Sequence, residues 1–213
     1  EKAEEIYSRV LSIREKAFGS NHPRIATVLN NLALIYYATD RYGKAELYFK
    51  RALDIWLKSH GPLHRNTANS LNNLAMVYSV QHDYSNAEPL FLRALAIREN
   101  VLGFLHPETL NTLDNLSSLY RVQGLSNKAN SYTRRTLAIQ LTLIQREVPY
   151  LTLSDRQSFI NSLGNTYERV FSAVESGDSG AKLAFYSRLN RQGLLAEIEK
   201  RQAQLTSLPG PQQ

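Results

Sequence analysis

Cysteine is absent from this 213-residue chain. That excludes a disulfide framework, a thiolate metal site and a cysteine nucleophile. It suits a reducing compartment, and a cytoplasmic location is the expectation. No run of about 18 apolar residues occurs, so no segment is read as spanning a membrane. There is no glycine-rich loop that could cradle a phosphate, and no serine on a nucleophile-elbow pattern. The expectation is therefore a chain with no catalytic residue, no cofactor and no metal. Its opening residue is Glu1 and a helix is under way by Ala3, which reads as an excised piece of a longer protein.

Long blocks of one charge are also scarce. The formal charge is +6, but residues 1–86 mix 11 basic with 8 acidic side chains along their length. That mixing argues against a nucleic-acid partner, which would call for basic residues gathered on one face. The one imbalance lies between Asp114 and Glu147, where Arg121, Lys128, Arg134, Arg135 and Arg146 have no acidic neighbour in sequence. It reads either as a solvated helix face or as the basic end of a groove that prefers acidic ligands.

What the chain does contain is repetition. Leu71-Asn72-Asn73-Leu74-Ala75-Met76-Val77-Tyr78 is preceded, 42 residues earlier, by Leu29-Asn30-Asn31-Leu32-Ala33-Leu34-Ile35-Tyr36. It returns 42 residues later as Leu113-Asp114-Asn115-Leu116-Ser117-Ser118-Leu119-Tyr120. At that spacing Ala3, Ala45, Ala87 and Ala129 form a column, as do Arg9, Arg51, Arg93 and Arg135, and Leu11, Leu53, Leu95 and Leu137. Gly19, Gly61 and Gly103 form another, and His22, His64 and His106 one more. A fixed period of this length is the mark of a repeat architecture.

Each period reads as two helices. The first begins after His-Pro, since Pro23 and Pro107 suit a first helical position. Its apolar residues Leu29, Leu32, Ala33 and Tyr36 recur at helical spacing, and it ends near Asp40-Arg41-Tyr42. The second runs from about Gly43 to His60, with Ala45, Phe49, Ala52 and Leu53 on one face, and stops at Gly61. Neither helix can bury its stripe alone, whereas stacked pairs build a continuous core. Leu137 to Leu143 alternates as a strand would, but the register places it on a second helix.

Leu71, Leu74, Ala75, Tyr78, Ala87, Phe91 and Ala94 together resemble the tetratricopeptide pattern. The 42-residue unit, its Leu102-Gly103-Phe104-Leu105-His106-Pro107 linker and its LNNLA core resemble the kinesin light chain variety. The resemblance covers residues 1–148 and departs from the pattern at Arg65, Ser117 and Ser126. It implies an all-α, right-handed superhelix of antiparallel helix pairs. Residues 149–213 are expected to hold a degenerate fifth pair and a linker. There Ser154 would be an N-cap with Gln157 completing its capping box, and Phe159, Leu163, Tyr167, Phe171 and Val174 would form the apolar face. The segment Arg188 to Glu197 resembles the helix leading into caspase-like CHAT domains of bacterial tetratricopeptide proteins. Such a domain needs a histidine–cysteine pair, and none can lie here because the last histidine is His106.

His22, His64 and His106 raise a metal hypothesis. Equivalent positions on successive packed helix pairs lie well over about 10 Å apart, whereas zinc needs its ligands at about 2 Å. They are read instead as residues at the start of helices. The informative residues are a second stripe on each first helix. It comprises Thr27, Asn30, Asn31, Leu34, Tyr37 and Ala38, then Asn69, Asn72, Asn73, Met76, Ser79 and Val80, then Asn111, Asp114, Asn115, Ser118, Arg121 and Val122. Each set shares one helical face, which in the resembled family looks into the concave groove. Asparagine is a mediocre helix former, so repeating it mid-helix needs a reason. Either the amides tie neighbouring helices together, or they form a ladder of donors and acceptors that grips the backbone of an extended peptide. Asn31, Asn73 and Asn115, nearer the core stripe, are the expected structural set; Asn30, Asn72 and Asp114 are expected to face the ligand.

The function expected is a protein–protein interaction module binding a peptide or protein partner, as the recognition part of a larger CHAT-type protein. The alternatives are a kinesin-light-chain-like cargo adaptor, a structural self-association array, or an enzyme whose catalytic part lies outside this chain.

Overall fold

The computed structural model describes residues 2–147. They form seven α-helices: α1 (Lys2–Phe18), α2 (Pro23–Ala38), α3 (Tyr42–His60), α4 (Arg65–Val80), α5 (Tyr84–Val101), α6 (Pro107–Val122) and α7 (Ser126–Glu147). No strand occurs among the described residues, so the expected all-α repeat fold is observed. Contacts divide the chain into two units, Glu1–Leu125 and Ser126–Gln213. The first holds α1 to α6; α7 opens the second. The fifth helix pair, the Ser154 cap, the linker and the segment 188–197 lie outside the described residues.

The helix boundaries follow from side chains at fixed places in the repeat. His22, His64 and His106 are the N-caps of α2, α4 and α6. The Nδ1 of each accepts the backbone N–H two residues on, at 3.2, 3.1 and 3.1 Å. This satisfies one of the donors that a helix start leaves without a partner. Pro23 and Pro107 follow as first helical residues. At Arg65, where the proline is missing, α4 starts at the same register. The hydroxyls of Thr67 and Thr109 donate to the carbonyls of Gly61 and Gly103, each at 2.9 Å, pinning the preceding turn to the new helix.

The opposite ends close in a common way. Asp40, His82 and Gly124 stand 42 residues apart and all take left-handed backbone, with φ of 57°, 62° and 73°. The next residue's N–H then returns to the carbonyls of Tyr36, Tyr78 and Tyr120 at 2.8–2.9 Å. That is the bond pattern of a helix ended by a left-handed residue. Two of the three positions lack glycine, so the closure outweighs the steric cost of a side chain there.

Within the first unit α2 packs on α3 and α4 on α5, while α3–α4, α1–α2 and α5–α6 join the pairs. Ala26, Ala33, Ala45, Ala52, Ala68, Ala75, Ala87 and Ala94 are fully buried, letting helix backbones approach closely. Phe49 and Phe91 fill the space between them. In α7 the buried residues Ala129, Thr133, Thr136, Leu137 and Gln140 fall at helical spacing, and the alternation of residues 137–143 has no counterpart in a strand. The side chains of Leu141 and Ile144 lie outside the described set.

One cap should make stability pH-dependent. Burial, and secondarily the neighbouring His60, hold the His64 imidazole below its ordinary value of 6.5. Its Nδ1 must also stay unprotonated to accept from Asn66. The unfolded chain therefore takes up this proton first as pH falls through 6.5, and stability drops until the folded pKa is passed. The urea midpoint should decline between about pH 7.5 and 5.5, and His64→Asn, a cap that does not titrate, should shrink that decline. Equal slopes in both proteins would refute the assignment.

Candidate functional site

Helices α2, α4 and α6 carry the asparagine stripe, and their amides form a connected chain. Asn115 Nδ2 donates to Asn72 Oδ1 at 3.1 Å, and Asn73 Nδ2 donates to Asn30 Oδ1 at 3.1 Å. Asn72 Nδ2 links the two through Asn73 Oδ1 at 3.5 Å and also lies 3.6 Å from Met76 Sδ. Asn115 Nδ2 reaches Asn111 Oδ1 at 3.3 Å, and Asn31 Nδ2 donates to the Tyr7 hydroxyl of α1 at 3.3 Å. The amides thus tie α6 to α4 and α4 to α2.

The columns do not sort as the sequence suggests. Asn72, expected to stand open to solvent, is only 2% exposed. Asn73, expected to be the structural member, is half-buried, as are Asn30, Asn31, Asn69, Asp114 and Asn115. The reason is the inter-helix step: the bonded pairs are 43 residues apart, not 42. Each outer asparagine on one helix therefore meets an inner one on the next. Around the amides, Leu34, Asn111 and Arg121 are exposed and Met76 is half-buried, so the stripe offers both apolar and polar contact. Arg121 Nη2 lies 3.5 Å from Ser117 Oγ, within its own helix.

Asn69 has a partner that sequence reasoning missed. Arg98 of α5, 5% exposed, donates through Nη2 to Asn69 Oδ1 at 2.8 Å. Its Nη1 donates to the Glu108 carbonyl at 2.8 Å and to the Thr112 hydroxyl. Its Nε lies 3.7 Å from Glu108 Oε2. One buried guanidinium thus holds α4, α5 and α6 together. Burial lowers its pKa, and Glu108 opposes that shift. Glu108 also accepts from Arg65, at 3.0 Å to Nε.

A second missed set is tyrosine to glutamate. Tyr78 donates to Glu46 Oε1 at 3.2 Å and Tyr120 to Glu88 Oε1 at 2.6 Å. Glu4 stands in the same relation to Tyr36, whose pKa is pushed up to about 12, mainly by burial. The signal was present, since Glu4, Glu46 and Glu88 recur at 42 residues.

The three repeat histidines serve as caps, and among the described residues no group of three or more His, Asp or Glu is placed to hold a metal. Nor is any described helix long and apolar enough to cross a membrane.

Residues 1–58, 31–100 and 66–142 match the tetratricopeptide repeat family. No curated protein matches the chain significantly. Among solved structures, BtubC (BKLC) from P. vanneervenii aligns with a TM-score of 0.64 at 21% identity, over 100% of this chain and 77% of that one. A single-substitution variant of a putative kinesin light chain of Podosopora anserina, with nearly identical TPR-like repeats, aligns at 0.66 and 19%, over 92% and 88%. A second structure of that repeat protein aligns at 0.58 and 18%, over 90% and 88%. At such identities these likenesses speak to the fold. The overlapping family matches span the described helices, and on them the chain belongs to the tetratricopeptide repeat family.

Proposed function

We propose that the face of α2, α4 and α6 binds an extended peptide segment of a protein partner. The observation that carries this is the amide chain from Asn115 to Asn30, most of it half-buried and running alongside exposed Leu34 and half-buried Met76. A peptide backbone laid along it meets carboxamides already oriented by one another. It can exchange water for hydrogen bonds there while apolar side chains take Leu34 and Met76. The site residues are Asn30, Asn31, Leu34, Asn69, Asn72, Asn73, Met76, Asn111, Asp114, Asn115 and Arg121, with Asn72 acting by orienting its neighbours. In this reading the residues are non-catalytic, the partner is protein rather than nucleic acid or membrane, and the setting is cytoplasmic.

The test is a peptide array probed with the whole chain, followed by calorimetry on the best binder. Leu34 is 41% exposed on this face and Leu47 is 65% exposed on α3, outside it. Leu34→Asp should weaken binding on the order of tenfold, as loss of a central apolar contact does, while Leu47→Asp leaves it unchanged. Equal effects of the two would place binding elsewhere. The likeness to kinesin-light-chain-like repeats favours a cargo adaptor, and the segment 188–197 favours a CHAT-type protein. A self-associating array would show itself as concentration-dependent mass in light scattering.

A further inference from the structure

The buried Arg98 has a counterpart in each unit at the same repeat position: Arg14, Trp56 and Gln140. Trp56 has no guanidinium to offer and lines a cleft of about 170 Å³ between α2, α3 and α4. Arg14 keeps the guanidinium. Its Nη1 donates to the Arg24 carbonyl at 3.2 Å just as Arg98 does to that of Glu108, both in the first turn of the next helix. The side chain on that acceptor residue is what differs. Glu108 brings a carboxylate to Arg65 and Arg98, whereas its equivalents are Asn66 in α4 and Arg24 in α2. A second guanidinium thus stands where the third unit has its acid, and the first turn of α2 carries no acidic residue.

The two arginines are left with open donors. Among the described residues neither Arg14 nor Arg24 forms an ion pair, and Glu15, next to Arg14 in sequence, is engaged by Arg51 at 2.5 Å. Arg24 is exposed but held: its Cζ lies 5.0 Å from the centroid of the Phe18 ring, which in turn packs on His22 at 5.0 Å. Such a stack uses the face of the guanidinium and leaves the N–H donors in its plane open. Phe18 is one helical turn beyond Arg14, so both arginines serve the same turn between α1 and α2. Arg24, Thr27 and Asn31 fall at i, i+3 and i+7, which puts the pair at the start of the asparagine stripe on α2.

The third unit shows how one carboxylate serves two arginines. Glu108 Oε1 accepts from both Nε and Nη2 of Arg65. Glu108 Oε2 stays 3.7 Å from Arg98 Nε, and both of those buried atoms lack a hydrogen-bond partner. Two oxygens on one carbon do not reach both forks. A phosphoryl group has three acceptor oxygens and a charge of about −1.5 to −2 at neutral pH, which suits two guanidiniums in charge and in geometry.

We propose that Arg14 and Arg24 receive the phosphoryl group of a phosphorylated serine or threonine in the segment bound on the face of α2, α4 and α6. The proposal rests on the peptide-binding reading above. Arg24 meets two of the oxygens with its fork, Arg14 meets the third with the donors it does not use on the Arg24 carbonyl, and Phe18 holds the plane of Arg24.

The experiment titrates the whole chain with capped random hexapeptide pools carrying a fixed central phosphoserine, Glu, Ser or Lys, and with inorganic phosphate alone. Calorimetry gives each affinity, and the methyl resonance of Met76, the single methionine, reports on the face. The phosphoserine pool should bind about tenfold more tightly than the Glu or Ser pool and than phosphate alone, as paired charge-assisted bonds predict. The advantage should shrink as salt rises. Arg24→Gln should remove it at the parent melting temperature, because Arg24 is exposed. Arg24→Lys, which keeps the charge without the fork, should retain part of it. Arg93→Gln, at an exposed arginine of α5, should leave it whole. A Glu pool as tight as phosphoserine, an advantage that survives Arg24→Gln, or one lost equally in Arg93→Gln would overturn the site. Inorganic phosphate binding as tightly as the phosphoserine pool would overturn the side chain as its source. A Met76 response alike for every pool, with no phosphoserine advantage, sinks the site and keeps the peptide-binding face; a silent Met76 throughout sinks the face and the proposal with it.

Discussion

Replacing Arg98 by Ala should cost about 3–5 kcal/mol, the range seen when one member of a buried charge network is removed. The change deletes the bonds to Asn69, to the Glu108 carbonyl and to Thr112. It also leaves Glu108, three-quarters buried, with Arg65 as its remaining cation. The damage should be local, because repeats couple mainly to their neighbours. Amide exchange should accelerate across α4 to α6 while α2 and α3 keep most of their protection. Arg98→Lys, which keeps the charge but cannot reach three acceptors in a fork, should fall between parent and Ala. A loss under about 1 kcal/mol in urea denaturation would mean the three helices are held by apolar packing alone.

Asn72→Ala should destabilise more than Asn73→Ala, the reverse of the order expected from helical position. Asn72 is 2% exposed and is the acceptor that joins α6 to α4. Its loss strands part of the Asn115 amide and opens a small void, for about 1–3 kcal/mol. Asn73 is half-buried, and water can replace part of what its side chain provides, so about 0.5–1.5 kcal/mol is expected. Thermal melts of the two variants decide the order. If Asn73→Ala melts lower, the amide chain is anchored from its α2 end and Asn72 is a bystander.

Asn72 also shows why a stripe drawn on one helix misleads. Neighbouring residues on a helix are separated by a large turn, and Asn72 lies next to the fully buried Leu71. Whether such a flank is covered depends on how far the next helix is rotated and shifted, and no single-helix pattern carries that quantity. The sequence did carry the helix starts and stops. His22, His64 and His106 mark the caps, Gly61 the break, and Pro23 and Pro107 the first turns, because capping involves only groups within a few residues of one another.

The 42-residue period by itself determined the pairing of helices, the alanine and phenylalanine core and the place of the asparagine stripe, since a helix with one apolar face has to bury it against its sequence neighbours. Only the tertiary structure decided which side chains meet. Asn73 reaches Asn30 at a separation of 43 and Tyr78 reaches Glu46 at 32. Arg98 finds partners on two other helices, and Trp56, at the equivalent position, lines an open cleft. These contacts depend on the offset between packed helices and on the volume of side chains that change from unit to unit, and a repeat pattern averages over both.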